Sequence, residues 1–222
     1  MKQLLQCCIC LLVITSCTNK PENKTAVEKD FSKIKIERYA IKEGNADSSS
    51  LASYIIKEFN DEGLEAKSIY YTADDQMMMQ FVNQFTNGNK TKIDWVNGED
   101  KKVKYVKMSY NEKDELIKSE SFNPNNEFVS GFIHQWKDNG RTEEKGPIEE
   151  GKPFKPNSIY KYNDQNEFVS LVEYDENDSL YGKFTWDYLK FDDQDEWLER
   201  QMFFNDTLVR IEKRIIDYQK IN

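Results

Sequence analysis

The sequence predicts an all-β fold, an antiparallel meander of repeated β-hairpins laid out as an elongated twisted sheet or a half-barrel. Three observations predict it. Short polar turns built on Asn and Asp recur along the chain. The stretches between them are rich in Val, Ile, Tyr, Phe, Trp and Thr, which suit a pleated surface. The repeat spacing is roughly 12 to 17 residues, the length of one strand plus one turn.

The turns run in order from Phe59 onward. An aromatic residue precedes Asn or Asp, polar residues follow, and an apolar residue restarts the strand. The unit reads Phe59-Asn60-Asp61-Glu62-Gly63-Leu64, then Tyr110-Asn111 to Leu116 and Phe122-Asn123 to Phe128. It returns as Tyr162-Asn163 to Phe168, Tyr174-Asp175 to Leu180, Phe191-Asp192 to Trp197 and the shorter Phe204-Asn205-Asp206-Thr207-Leu208. Phe85-Thr86-Asn87-Gly88 and Trp95-Val96-Asn97-Gly98 are variants. Asn, Asp and Gly enter backbone conformations that other residues resist. Alternation marks the strands between. Phe168, Val172 and Tyr174 share one parity, and so do Phe184, Trp186 and Tyr188. Interleaved charges such as Glu199, Arg200, Arg210, Glu212 and Arg214 fit a sheet with one packed face and one face of ion pairs. Ser48-Ser49-Ser50 resembles a helix cap ahead of Leu51, Tyr54 and Ile55, but Ile55 to Phe59 leads into a repeat turn, so a strand is expected there.

The pattern resembles the tyrosine-aspartate (YD, RHS-like) repeats of bacterial surface proteins, and more closely the small lipoproteins that carry such repeats. Phe191-Asp192…Glu196-Trp197…Arg200 matches best, and Arg214-Ile215-Ile216-Asp217-Tyr218 looks like a closing strand. The resemblance spans most of Lys57 to Tyr218. It implies a surface or envelope β-repeat protein.

The N-terminus adds a location. Lys2 is a positive start, Leu4 to Ile14 is an apolar run of about ten residues, and Ile14-Thr15-Ser16-Cys17 follows. The run is too short to span a bilayer, which needs roughly 20 residues. The segment resembles a bacterial lipoprotein lipobox. That implies cleavage between Ser16 and Cys17 and lipidation of Cys17. The expected organisation is a signal peptide over 1–16, a lipidated Cys17 with a flexible tether over 17–30, and a β-repeat domain over 31–222 with a long loop near 137–157. No Asp follows Cys17, so the outer membrane is the expected destination, on its periplasmic face or the cell surface.

Composition excludes several functions. All four cysteines (Cys7, Cys8, Cys10, Cys17) lie in or at the end of the signal, so the domain has no disulfide, no Cys nucleophile and no Cys metal site. Forty acidic residues against 31 basic ones give a net charge of −9, which argues against nucleic-acid binding. The acyl anchor rather than charge would hold the chain at the membrane.

Candidate sites are few. His134, the single histidine, and Trp136 stand at the base of the Gly- and Pro-rich stretch 137–157. Trp186 and Trp197 are candidates for a stacking face, although core packing also explains such aromatics. Asp192 to Glu196 lacks the spacing of a calcium loop, and turns need Asp for backbone reasons alone. No metal and no cofactor are expected. No phosphate loop, nucleophile elbow or zinc-binding helix is present. The expected function is therefore non-enzymatic: a lipid-anchored binding or scaffolding module for an envelope protein or glycan. The alternative is a carrier holding an apolar ligand in a curled sheet. A carboxylate-based hydrolase is the third class.

Overall fold

The computed structural model describes residues 31–42 and 45–218, with backbone alone for 45–48. The lipobox-like segment, with Ser16 and Cys17, and the tether lie outside the described residues.

Fourteen strands follow one another in chain order. They are β1 (Phe31–Lys42), β2 (Asn45–Phe59), β3 (Glu65–Thr72), β4 (Met77–Thr86), β5 (Asn89–Asn97), β6 (Lys102–Tyr110) and β7 (Leu116–Phe122). Then come β8 (Phe128–Lys137), β9 (Thr142–Pro147), β10 (Ser158–Tyr162), β11 (Phe168–Tyr174), β12 (Leu180–Phe191), β13 (Trp197–Phe204) and β14 (Thr207–Tyr218). Every strand pairs antiparallel with its chain neighbours, and β14 pairs with β1, so the meander is a closed barrel. This corrects the expected open sheet or half-barrel. Two free edges would leave rows of backbone N–H and C=O groups unpaired. The ladder Ile34↔Ile216, Ile36↔Arg214 and Arg38↔Glu212 satisfies them.

The repeat turns share one local chemistry. Asn60, Asn97, Asn111, Asn123, Asn163, Asp175 and Asp192 each accept, on one side-chain oxygen, the backbone N–H groups two and four residues ahead. Thr72 does the same for Gln76 with its hydroxyl. The fourth residue of each turn takes positive φ, from Gly63 at 71° to Asp114 at 59° and Asp195 at 59°. Short Asn and Asp side chains tolerate that region where most residues do not. Asn87-Gly88 and Asn205-Asp206 are two-residue reversals with both residues at positive φ. The stretch 45–59 is strand, as expected.

The stretch 137–157 is not one loop. It holds a 3-10 turn (Asp138–Gly140) and the whole of β9. Residues 148–157 then fold back on the wall. Ile148 N–H donates to Gly131 O at 2.9 Å, and Asn157 N–H to Lys145 O at 2.9 Å. A β-carbon on Gly146 would strike the Lys155 backbone, so that position requires glycine, whereas one on Gly131 would meet the tip of the Ile148 side chain.

The inner face packs as three clusters. Phe81, Ile93, Trp95, Val106, Met108 and Leu116 form the first. Tyr160, Phe168, Leu171, Phe184, Trp186 and Met202 form the second. Ile34, Ile36, Ile55 and Trp197 form the third. A side chain facing a water-filled lumen keeps surface there. Ile34 keeps 0%, Ile93 2% and Leu171 1%, so mid-barrel is a packed core.

The two ends differ. The end where β1 starts and β14 finishes is closed by the chain's own aromatics. Its hairpin-closing pairs Tyr110↔Leu116 and Tyr162↔Phe168 turn inward, with Leu116 at 1% exposure and Trp197 at 4%. The opposite end has the same turns, but its closing pairs Tyr71↔Met77, Phe122↔Phe128 and Tyr174↔Leu180 fall on the outer face. Phe128 is 54% exposed and Leu180 61%. Strand-length parity accounts for the difference, because side chains alternate faces residue by residue.

Candidate functional site

With the near end plugged and the centre packed, the far end is where the inner face meets solvent. Register builds its wall. Ser121 pairs with Ser130 across β7 and β8, and Ser119 pairs with Phe132 one inner-face step deeper. His134 pairs with Lys145, Lys145 with Ser158, and Ser158 with Glu173, an unbroken polar row over β8 to β11. Ser130 is exposed, while Ser121, Phe132, Met79, Tyr70 and Phe204 are half-buried. This end of the inner face, termed the bowl, thus carries apolar and polar sectors. The Lys145 ammonium lies 4.2 Å over the Phe132 ring, and Lys104 lies 3.3 Å over Trp95. Burial pushes the Glu173 carboxyl above its usual range, and Lys145 only partly offsets this. Gly182, next in the row, leaves room for the Phe204 ring.

Beneath Ser121 and Ser130 lies a hydrogen-bonded chain. Ser119 Oγ is 2.9 Å from His134 Nε2, and His134 Nδ1 is 2.6 Å from Glu143 Oε1. Tyr162 donates its hydroxyl to Glu143 Oε2 at 3.0 Å. A carboxylate can only accept, so Nδ1 carries a proton, and in the neutral imidazole Nε2 is then the acceptor for the Ser119 hydroxyl. Ser119, His134 and Glu143 are buried, and Tyr162 is half-buried.

A second polar cluster crosses the barrel seam. Glu212, fully buried, accepts from Arg38 Nε at 3.1 Å and from Arg200 at 2.6 Å, with Arg210 at 3.6 Å. Burial alone would raise its carboxyl. Arg200, Arg38 and Arg210 reverse that and hold it at about 2. Glu65 behaves alike on β3: burial raises it, and Lys57 and Lys90 bring it to about 2.

The four residues singled out from sequence do not converge. His134 and Trp136 share β8, and Trp136 donates to Leu116 O at 2.9 Å while its ring stands 6.0 Å from Tyr162. Trp186 packs 4.5 Å from Phe168 in the second cluster. Trp197 belongs to the third, with Arg200 and Arg214 over its ring. Trp186 and Trp197 are core residues in separate clusters, and Trp136 is half-buried beside Tyr162, so the three do not form one stacking face. His134 has two buried partners, Ser119 and Glu143, neither of which was among the candidates read from sequence. The signal was present, because counting back from the 123–127 turn sets Ser119 diagonal to His134. Asp192 spends one carboxylate oxygen on turn N–H groups and accepts from Tyr218 on the other. Among the described residues no group of three or more His, Cys, Asp or Glu side chains is placed to hold a metal ion.

Neither a family model nor a curated protein matches the chain. Solved structures do. A porin-like protein from Bacteroides uniformis aligns with a TM-score of 0.50 at 13% identity, over 84% of this chain and 98% of that one. A putative outer membrane lipoprotein-sorting protein domain from Vibrio parahaemolyticus aligns at TM-score 0.39 and 13% identity, over 86% of each chain. A LolA-superfamily protein from Nitrosomonas europaea aligns at TM-score 0.32 and 10% identity, over 88% and 89%. The first likeness is one of fold. The outer face here carries Lys92–Asp94–Lys102, Lys118–Glu120 and Lys190–Glu199 ion pairs on its strands. A barrel that crosses a bilayer presents an apolar band at that height instead.

Proposed function

We propose that this chain is a lipid-anchored protein of the bacterial cell envelope, held through Cys17, that binds an amphiphile in the far-end bowl and acts as its carrier. The observation that carries the reading is the asymmetry of the ends. The same turn motif buries Leu116 and Trp197 at one end and leaves the inner face open at Ser130 at the other. Because the centre is packed, the ligand sits in the mouth rather than the lumen. Phe132, Met79, Tyr70 and Phe204 suit an acyl chain, and Lys145 and Lys104 on the same face suit an anionic head. The repeated Asn and Asp turns support the likeness to YD-type repeat lipoproteins. β1 begins at the plugged end, so the chain enters the barrel at the end opposite the bowl.

The test is titration of the mature domain with a fluorescent fatty acid. Ser130→Trp places a ring in the bowl from an exposed position. It should weaken binding at least about tenfold, a loss of about 1.4 kcal/mol, while the thermal midpoint stays close to wild type. Equal affinity in wild type and variant would reject the bowl as the site.

One observation favours a second reading, a scaffold for an envelope protein. Val129 at 59% and Leu180 at 61% stand exposed on the outer collar of the same end. Cross-linking in cells would then yield one envelope protein that is lost in Val129→Lys/Leu180→Lys but kept in Ser130→Trp.

A further inference from the structure

We propose that Ser119, His134 and Glu143 form a nucleophilic relay on the floor of the bowl, and that the protein cleaves a carboxylic ester by acyl transfer. This goes beyond the binding reading. The atoms are in the order such chemistry requires. Glu143 fixes the Nδ1–H tautomer of His134, which leaves Nε2 to take the proton of Ser119 Oγ at 2.9 Å. Tyr162 holds the second oxygen of Glu143, so the carboxylate cannot swing away. Access runs from the open end. Ser119 lies one inner-face step below Ser121 and directly across from Phe132, and Ser130 above it is exposed. Ser119 is itself only 3% exposed, so an ester carbonyl reaches Oγ once the half-buried Phe132 ring across from it turns aside, with His134 then behind the nucleophile. Lys145, paired with His134 and lying over the ring of Phe132, places a cation beside the carbonyl oxygen.

The chemistry balances with water as co-reactant. Ser119 Oγ attacks the acyl carbon while its proton passes to His134 Nε2, and the oxyanion forms beside the Lys145 ammonium. Collapse breaks the ester C–O bond, and the departing alkoxide takes the proton from Nε2. Water then adds to the Ser119 ester, gives its proton to His134, and releases the carboxylic acid as Oγ regains a proton.

The experiment combines a serine-reactive fluorophosphonate with p-nitrophenyl octanoate hydrolysis on the mature domain. The expected result is one label per chain, mapped to Ser119. Ser119→Ala should remain unlabelled, lose about 10³-fold in kcat/KM, and still bind the fluorescent fatty acid. Glu143→Gln should lower kcat at least about tenfold with little change in KM, since Glu143 positions His134 without touching substrate. A wild type that binds the fatty acid but is neither labelled nor faster than Ser119→Ala overturns the relay and leaves the carrier standing. Labelling at Ser119 without fatty-acid binding overturns the carrier and keeps the relay.

Discussion

Glu212 shows what a single residue does in this barrel. Its carboxylate is fully buried and sits among Arg38, Arg200 and Arg210 from three adjacent strands. Removing its charge takes the buried carboxylate away from the Arg38 and Arg200 guanidinium groups that bond to it. Glu212→Gln should therefore cost about 3–5 kcal/mol, measured by urea denaturation at neutral pH. The same residue sets an acid limit. Its folded pKa of about 2 lies below the ordinary value of 4.5, so the folded state binds fewer protons than the unfolded state between those values. That contribution is complete above about pH 4.5 and is lost as pH falls towards 2, on the order of 3 kcal/mol. Glu65 adds in the same direction. A denaturation midpoint that falls between pH 5 and 2.5 in wild type, and falls less in Glu212→Gln, is the expected outcome. These partnerships were not legible in sequence. Arg38 and Glu212 are 174 residues apart and meet only through barrel closure.

At the scale of the element, the turns were the most legible feature because their chemistry is local. An Asn or Asp that caps two N–H groups within four residues needs no knowledge of register. Asn111→Ala and Asn163→Ala should each cost about 1 kcal/mol, since each leaves two turn N–H groups without their side-chain acceptor. Asp114→Gly and Asp195→Gly, at φ 59° in both cases, should be neutral or stabilising by up to about 1 kcal/mol, checked by thermal melts. β9 was less legible. Thr142–Pro147 carries two glutamates, a Lys, a Gly and a Pro, so neither propensity nor apolar alternation marks it. Its backbone is recruited by β8 and β10 on either side. The relay was hidden for a related reason: Ser119 and Glu143 lie 15 and 9 residues from His134 and join it only once two ladders are in register.

For the whole molecule, sequence conveyed the antiparallel meander but not its closure. Closure depends on strand tilt and twist summed over fourteen strands, which no local pattern encodes. Nor did it convey that identical turns plug one end and open the other. That follows from strand-length parity and the bulge beside each turn, such as those at Ser109/Tyr110 and Ser121/Phe122. The asymmetry gives the barrel a direction, with the chain entering at the sealed end and the bowl at the other. Native mass spectrometry of protein purified from the envelope, with lipid extraction of the same sample, tests that direction most directly. One acyl-chain amphiphile per wild-type molecule is expected, and none on Ser130→Trp purified in parallel. Equal occupancy of both proteins, or a wild type that carries no amphiphile and instead cross-links one envelope protein through the outer collar, would contradict it.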